Sequence, residues 1–291
     1  MFAIIYNPVS GKQNGQEIAR KAADLLDQHG IKYAFYPTKA HGDGANQAKR
    51  AIDDGCDGLV CIGGDGTLSE VVGGVAGSDV TLYIVPTGTG NDFARLLELD
   101  HDPIKALSMQ LDGAPVRIDC GKINGRPFLN VAGSGFDVEV LREMEELRRL
   151  YPGPKAYRKA VFATLSKFVA FEADISIDDQ PFERVKTTII EIANGRCIGG
   201  GMRVAPGAKA DDGLFDVVIV NKVPRWSVPF LLPLFIIGAH VHLPVARVVG
   251  AKKVVMRSPG MVVEVDGQLE KMDQAEFEIM PGALKIMCPA K

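Results

Sequence analysis

The first part of the chain alternates between two hydrophobic patterns. Short apolar runs of the kind found in buried strands lie at residues 2–6, 59–62 and 82–85. Each run ends in a polar or glycine-rich loop that leads into a helical pattern. One such pattern, at residues 16–29, places its apolar side chains on one helical face, and Gly30 follows as a C-cap. The alternation predicts an α/β domain with a parallel sheet, helices on both faces, and ligands at the carboxyl ends of the strands.

The pattern changes near Asp119, after which strand-like runs dominate. Two helical stretches, at residues 138–150 and 155–171, interrupt them. We therefore expect an α/β domain over residues 1–119 and a mainly antiparallel β domain over residues 120–283. The sequence leaves open whether a last strand near residues 284–291 returns to the first domain. The strands of the second part are predicted at residues 186–193, 215–220, 248–257, 261–265, 277–280 and 284–288.

Residues 226–241 form the nearest approach to a membrane span. The stretch is shorter than the roughly 18–20 apolar residues that a span requires, and Pro229 and Pro233 interrupt it. Two interpretations stay open. The segment is either a buried, kinked helix or an interfacial segment that lines a site for acyl chains.

Three predicted strand ends carry small and polar residues at high density. In a parallel sheet, the carboxyl ends of the strands share one edge, so the three loops are expected to lie side by side. They are residues 7–12 (NPVSGK), residues 63–67 (GGDGT) and residues 86–92 (PTGTGND).

These loops suit phosphate. Glycines leave room for a bulky anion, and the free N–H groups and dipole of a helix start favour negative charge. Ser10, Thr67 and Thr89 add hydroxyl donors. The carboxylate of Asp65 would repel phosphate unless Mg²⁺ lies between them or a donor holds it.

Two plainer interpretations compete with this one. Each loop, taken alone, is also compatible with an ordinary turn between a strand and a helix, and Asn91 or Asp92 is also suited to capping the next helix. A P-loop motif GxxxxGK[ST] and a dinucleotide-binding motif GxGxxG are both absent from the sequence. The coincidence of three loops at one edge favours a phosphate site of another type.

Composition narrows the range of partners. The 291 residues carry a formal charge of −3, so a nucleic-acid partner has no electrostatic support. The five cysteines are scattered without a CxxC pair, which argues against a disulfide framework and a zinc site. With no signal peptide at the N-terminus, a reducing cytoplasm is the expected location.

The motifs together resemble the diacylglycerol kinase catalytic domain family, which includes bacterial soluble lipid kinases and sphingosine kinases. The most specific mark is GGDGT with Glu70 following, and then come PTGTGND and NPVSGK. The resemblance covers nearly the whole chain. Weaker support comes from residues 119–121 (DCG), 130–136 (NVAGSGF), 194–216 and 265–267 (VDG).

The resemblance implies a two-domain enzyme with an ATP cleft between the domains. Its expected reaction is ATP-dependent, Mg²⁺-dependent phosphorylation of a lipid hydroxyl, with diacylglycerol to phosphatidic acid as the default. Asp65 and Asp92 would organise the catalytic Mg²⁺ and its waters. The residues that would contact ATP are Asn7, Pro8, Val9, Ser10, Gly11, Thr38, Gly63, Gly64, Asp65, Gly66, Thr67, Glu70 and Thr89.

Some bacterial members hold a second, structural Mg²⁺. By resemblance, its ligands here would be the side chain of Asp212 and the carbonyls of Lys209 and Leu214. Without the resemblance, Asp212-Gly213 is equally typical of a turn before a strand.

One position departs from the family. Its usual Asp-Gly-Glu, in which the Glu is the expected base, reads Asp266-Gly267-Gln268 here. Gln268 cannot accept a proton as a carboxylate can. Asp266-Gly267 is also a strong hairpin signal. Three explanations stay open: catalysis needs little base, Asp65 or Glu270 replaces it, or the protein binds nucleotide with weak or no activity.

Two rival functions follow. An NAD kinase shares the GGDGT loop, and a nucleotide-binding regulator without catalysis would account for Gln268. The lipid-kinase hypothesis instead predicts a lipid substrate and transient, peripheral contact with the inner face of the membrane. A homodimer is an option that the sequence leaves open.

Overall fold

The first part of the chain alternates strands and helices. The computed structural model describes residues 1–8, 15–147 and 154–290, with the backbone alone for residues 145 and 154–158. Its first elements are β1 (Phe2–Tyr6), α1 (Gly15–Gln28), β2 (Tyr33–Pro37), α2 (Gly44–Asp53), β3 (Gly58–Gly63), α3 (Asp65–Val75), β4 (Thr81–Pro86), α4 (Asp92–Leu96) and α5 (Pro103–Leu111).

Strands β2, β1, β3 and β4 pair in parallel, in that order. Alternate side chains of β1 enter two different cores, because successive residues of a strand point to opposite faces. Ile4 packs with residues of α1 and α5, whereas Ile5 packs with residues of α2 and α3. Gly30 follows α1 with a φ of 66°, as expected for a C-cap.

The second part is richer in strands. Its elements are β5 (Ala114–Ile123), β6 (Arg126–Phe128), β7 (Val131–Gly135), α6 (Phe136–Leu147), α7 (Pro154–Lys167), β8 (Phe171–Ile177), β9 (Glu183–Ala193), β10 (Phe215–Asn221), α8 (Val228–Ile237), β11 (Ala246–Ala251), β12 (Lys253–Val265) and β13 (Gln268–Cys288). Strands β7 to β12 pair antiparallel with their neighbours. Short 3₁₀ turns, Arg225–Ser227 and Ala239–His242, flank α8.

Strand β13 joins the two parts. It pairs antiparallel with β12 and β5, and near its end Lys285 and Ile286 pair in parallel with β4. The sheet therefore continues from one part of the chain to the other. The domain boundary at residue 119 stays a prediction.

Three sequence-based boundaries are wrong. The strands expected at residues 277–280 and 284–288 are one strand, β13, with a register shift between Met280 and Leu284. The strand expected at 248–257 spans two strands, because the Asp178 carboxylate accepts the N–H groups of Lys252 and Lys253 between them. The helix expected at 155–171 ends at Lys167, and Phe171 begins β8. Residues 148–150 of the other predicted helix lie outside the described residues.

Two further cores form in the second part. Phe128, Phe215 and Phe277 fill a core between the strands. The other lies where α6, α7 and α8 cover β7, β9 and β10, and includes Phe136, Val218 and Phe235.

Candidate active site

Two of the three predicted loops meet backbone to backbone. A Cβ on Gly64, just before α3, would lie 2.9 Å from the Cα of Gly88, in the loop before α4. The carbonyl of Gly63 accepts the N–H of Thr87 at 2.9 Å. The start of α3, with its free N–H groups, is therefore held against the loop after β4.

Two carboxylates stand at this junction. The N–H of Asp92 donates to Oδ1 of Asp65 at 2.8 Å. A Cβ on Gly90 would lie 2.8 Å from Asp65 Oδ2 and 3.3 Å from Asp92 Oδ2, so glycine makes room for both. Asp92 is buried, and its Oδ2 accepts the N–H of Gly200 at 2.8 Å. Burial raises the pKa of Asp92, and the Asp65 carboxylate raises it further.

This pair has the chemistry of a site for a hard cation. Oδ1 of Asp92 is buried and accepts no hydrogen bond from any described group. Neighbouring carboxylates repel each other, and a hydrated Mg²⁺ would relieve that repulsion. The residues present therefore fit a magnesium ion, held through Asp65 and Asp92.

Helix capping does not account for the polar residues of the third loop. Asn91 occupies the N-cap position of α4, but its side chain makes no capping hydrogen bond. Instead it accepts the N–H of Gly88 and donates to the Gly88 carbonyl, both at 3.0 Å. Asn91 thus closes the loop while the Asp92 carboxylate points to Gly200.

The other predicted ATP contacts have several roles. Both carboxylate oxygens of Glu70 are engaged by the N–H groups of Gly42 and Gly44, at 2.8 and 3.0 Å. Thr38 is buried just after β2, and Thr89 lines the large cavity described next. The Thr67 side chain lies against Gly63. Asn7 and Pro8 follow β1, whereas Val9, Ser10 and Gly11 lie outside the described residues.

A cavity of about 400 Å³ opens beside these carboxylates. Asp65, Thr89 and Asp92 line one end of it. From there it runs beneath the helices of the second part, between apolar walls that include Phe136, Val140, Met144, Ile189, Leu232 and Phe235.

The apolar segment at 226–241 supplies one wall of this cavity. The expectation of a buried helix is wrong: within α8, Val228 and Phe235 are buried, whereas Phe230 is 73% exposed. Leu231, Leu232 and Phe235 face the cavity, and Pro233 lies inside the helix. None of the described helices is both long and apolar enough to cross a membrane.

The hairpin between β12 and β13 closes the cavity near the carboxylates. Its turn forms at Asp266-Gly267, as the sequence predicts, with φ of 48° and 89°. The Asp266 carboxylate accepts the N–H groups of residues 129, 130 and 131 and a hydrogen bond from Ser69 of α3. It therefore ties the hairpin to both parts of the chain. Burial raises its pKa.

Position 268 contributes little to the cavity. Among the described residues, Asp266, Gly267 and Leu269 form its wall at this hairpin, and Gln268 is not one of them. Glu270, the alternative base, forms an ion pair with Arg126. Glu264, four residues before Gln268, belongs to none of the motifs in the sequence, yet it lines the cavity.

Other groups were also missed. Gly200, within a run of three glycines that all have positive φ, donates to Asp92. The glycine run was a usable signal, because it marks a backbone that approaches something closely. Asp137 of α6 lines the cavity as well, and no local motif points to it.

The predicted structural magnesium site is a tight turn. Buried Asp119 accepts the N–H of Gly213 at 2.7 Å and donates its own N–H to the Ala210 carbonyl. Exposed Asp212 accepts the N–H of Leu214 at 3.1 Å. Within residues 1–8, 15–147 and 154–290, no group of three or more His, Cys, Asp or Glu side chains is arranged to hold a metal. A site at Lys209, Asp212 and Leu214 therefore stays a prediction.

Comparison with known families and proteins agrees with this architecture. Residues 1–123 match the diacylglycerol kinase catalytic domain, and residues 130–288 match the YegS C-terminal NAD kinase beta sandwich-like domain. A diacylglycerol kinase of Staphylococcus epidermidis is 32% identical over 289 residues, which cover 98% of this chain and 91% of that protein. One from Staphylococcus carnosus is 31% identical over 290 residues, 98% of this chain and 94% of its own.

Solved structures share the fold. A diacylglycerol kinase from Bacillus anthracis str. Sterne superposes with a TM-score of 0.75 at 22% identity, covering 99% of this chain and 96% of its own. An NAD kinase from Archaeoglobus fulgidus in complex with ATP reaches 0.55 at 12% identity, covering 99% and 94%. Sequence identity over nearly the full length, the two matched domains and the paired glycine loops lead to one conclusion: this chain belongs to the diacylglycerol kinase family.

Proposed function

We propose that the protein is an ATP- and Mg²⁺-dependent kinase that phosphorylates a lipid hydroxyl, with diacylglycerol as the first candidate substrate. One observation carries the proposal: a largely apolar cavity opens directly onto Asp65 and Asp92. A volume of about 400 Å³ lies within the roughly 300–1,000 Å³ usual for small-molecule sites. An alcohol with acyl chains would place its chains along the apolar walls and its hydroxyl at the polar end.

ATP is proposed to bind where the loops after β1, β3 and β4 meet, in a cleft between the first and second parts. The start of α3 and the backbone around Gly64 and Gly88 present N–H groups for phosphate. Thr67 and Thr89 would add hydroxyl donors, and Asn7, Pro8, Thr38 and Glu70 are proposed to complete the ATP contacts among the described residues. Val9, Ser10 and Gly11 belong to the same proposal.

Asp65 and Asp92 are proposed to hold the catalytic Mg²⁺, directly or through water. A bound Mg²⁺ would neutralise charge on the transferred phosphoryl group. The carboxylate of Asp92 is fixed by Gly200 from the second part, and Asp65 is fixed by the N–H of Asp92. This arrangement links the positions of the two parts to the geometry of the site. Positioning of this kind provides most of the catalysis in phosphoryl transfer.

The exposed apolar face of α8 is proposed to rest on a membrane surface. Trp226, Phe230 and Ile237 are 74%, 73% and 62% exposed, while neighbouring side chains of the same segment line the cavity. The Arg225 side chain donates to the carbonyls of residues 166 and 168, so Trp226 lies close to the end of α7. Arg225 and the exposed Lys222 favour an anionic bilayer. A lipid would then pass from the bilayer into the cavity along α8.

The loop at 209–214 is proposed to hold a structural Mg²⁺ through the Asp212 side chain and the carbonyls of Lys209 and Leu214. Oxygen donors on a tight turn suit such an ion. The nearby Asp216, whose pKa is raised by burial and then by Asp212, adds negative charge.

A direct test supplies radiolabelled ATP together with diacylglycerol, sphingosine, undecaprenol or NAD. We expect label on a lipid, and first on diacylglycerol, because NAD is charged and the cavity walls are apolar. Asp65→Ala gives the background, and Asp112→Ala, an exposed aspartate after α5, is the matched control. Labelling of NAD alone would contradict the proposal. ATP binding without turnover of any lipid, in both the wild type and Gln268→Glu, would favour a nucleotide-binding regulator.

A further inference from the structure

Two glutamates meet over a glycine in the sheet beneath α6. Gly133 of β7 pairs with Glu191 of β9 on one side and with Glu264 of β12 on the other. Side chains directly opposite each other in an antiparallel pair project from the same face. A Cβ at Gly133 would overlap the Glu191 carboxyl group. Because Gly133 has no side chain, the carboxyl groups have room to lie close together.

A third acid, Asp137, joins them from the first turn of α6. Its carboxyl group lies within hydrogen-bonding reach of Glu191. All four of their carboxyl oxygens are buried, and no described side chain other than the partner acid donates to them; the backbone N–H groups of Asp137 and Val138 lie near the Asp137 carboxyl group. Two buried carboxyl groups that face each other without another side-chain donor are stable when they share a proton. The pKa values of both are raised, first by burial.

Glu264 and Asp137 both line the cavity, but Glu264 alone of the three acids is anchored to the hairpin turn beside Asp266. It is only 5% exposed, and one of its oxygens accepts the N–H of Gly267 in the hairpin turn. Its other oxygen, Oε2, is buried and has no partner among the described groups. The cavity that Glu264 lines is the same one that Asp65 and Asp92 line. A hydroxyl group bound at that polar end would meet an unengaged carboxylate oxygen.

A purely structural role explains only part of this arrangement. Holding the hairpin turn requires the one oxygen that Gly267 already uses. Leaving the second carboxylate oxygen buried without a partner costs free energy, which ordinary structural residues avoid. A hydrogen-bonding group of the substrate would relieve that cost.

We infer that Glu264 is the catalytic residue that accepts the proton of the lipid hydroxyl, in place of the glutamate that position 268 lacks. The inference rests on the proposed lipid-kinase function. The hydroxyl oxygen forms a bond to the γ-phosphorus while the bond from that phosphorus to the β,γ-bridging oxygen breaks. ADP leaves with the electron pair, and the hydroxyl proton passes to Glu264 Oε2. Asp137 and Glu191 are positioning residues, since they set the electrostatic surroundings of Glu264.

The surroundings of Glu264 raise its pKa above that of an exposed glutamate. Burial raises the pKa of Glu264, and the carboxyl groups of Asp137, Asp266 and Asp92 raise it further, against the Gly267 N–H, which lowers it. A general base is most effective when its pKa is close to the working pH. Since the base must be ionised, kcat/KM should rise with pH through this pKa and then level off.

Glu264→Gln tests the assignment, because the amide keeps an acceptor for Gly267 but cannot take up a proton. We expect kcat for the lipid to fall by about 10²–10⁴-fold. KM, the Kd for ATP and the melting temperature should change little, and Glu264→Asp should retain part of the activity. Glu172→Gln, which removes an exposed carboxylate paired with Lys186 outside the cavity, is the matched control.

A second variant gives a readout that a structural role would not change. Asp137→Asn removes a neighbouring acid, so the pKa of Glu264 should fall and the acidic limb of the pH profile should move to lower pH. Infrared difference spectra of the protein without substrates should show the same displacement for a carboxyl band that Glu264→Gln abolishes. This measurement applies even where a variant turns over slowly.

The outcomes separate the two claims. If the wild type phosphorylates no lipid, the proposed function fails. If the wild type is active and Glu264→Gln retains its kcat, the inference about Glu264 fails alone. A hundredfold rise in kcat for Gln268→Glu would place the base at position 268 and would also overturn it.

Discussion

The glycine-rich edge of the parallel sheet, at residues 63–67 and 86–92, and the cavity beneath α6 and α8 differ in the groups that they present. At the edge, glycine-rich backbone and the start of α3 offer N–H groups to water and to anions. In the cavity, apolar walls surround the carboxyl groups of Asp137 and Glu264, whose pKa values are raised by burial. ATP is a charged, hydrated substrate and the proposed lipid acceptor is apolar, so the two substrates require opposite surroundings. These two environments meet at Asp65 and Asp92. The reaction proposed here therefore needs a boundary between a hydrated site and an apolar one.

The largest effect should follow from removing charge at that boundary. Asp65→Asn keeps an acceptor for the N–H of Asp92 but loses the carboxylate that is proposed to hold Mg²⁺. We expect kcat to fall by about 10²–10³-fold, as when other groups that stabilise transition-state charge are removed. Steady-state kinetics with varied Mg²⁺ measure this. An unchanged kcat would mean that the boundary lies elsewhere.

The second prediction concerns the hairpin that holds the two environments together. Asp266→Ala leaves three backbone N–H groups without their acceptor, two of them on the buried residues Leu129 and Val131, so the free energy of unfolding should fall by about 3 kcal/mol. Asp178→Ala is the control, because Asp178 also accepts two backbone N–H groups and has the same φ of 48°, but is exposed. Urea unfolding should show a loss of about 1 kcal/mol or less for the control, where water can replace the carboxylate. Equal losses would contradict the importance of burial.

The third prediction concerns how a lipid reaches the apolar cavity from a membrane. Replacing Trp226 and Phe230 by serine removes exposed apolar surface without touching the cavity core, so vesicle binding should weaken by about tenfold or more. Co-sedimentation with anionic vesicles measures it, with Met109→Ser on α5 as the control. Wild-type protein that stays in the supernatant would rule out the proposed membrane contact.

The smallest effect concerns the pH dependence of stability. Because the folded-state pKa of Glu191 is raised, its contribution to stability is complete below its ordinary value of 4.5 and is lost as pH rises through the folded pKa. In Glu191→Gln, the free energy of unfolding should therefore decrease less steeply as the pH rises above that value. The difference in slope from the wild type should be up to about 1.4 kcal/mol per pH unit. Urea titrations across this range test it. Glu172→Gln, an exposed residue whose pKa is lowered by Lys186, should give no such flattening.

The sequence was a good guide to the edge and a poor one to the cavity. The loops at 63–67 and 86–92 are contiguous, so their glycines, hydroxyls and carboxylates are recognisable before folding. Glu191 and Glu264 lie far apart in the sequence and meet only because both strands pair with Gly133. A charged residue inside an apolar strand looks like a solvent-facing position until the partner strands are known.

Hydrophobic periodicity and local motifs therefore determined by themselves the alternating first part, the glycine-rich loops at its edge, which are proposed to bind phosphate, and the family. Tertiary structure alone decided that β13 runs from the hairpin to β4, that α8 has one face in the cavity and one exposed, and that Glu264 rather than Gln268 faces the carboxylates. The physical reason is that backbone turns and helix starts are encoded by neighbours in the chain. Strand register and cavity walls depend on residues brought together across the whole fold.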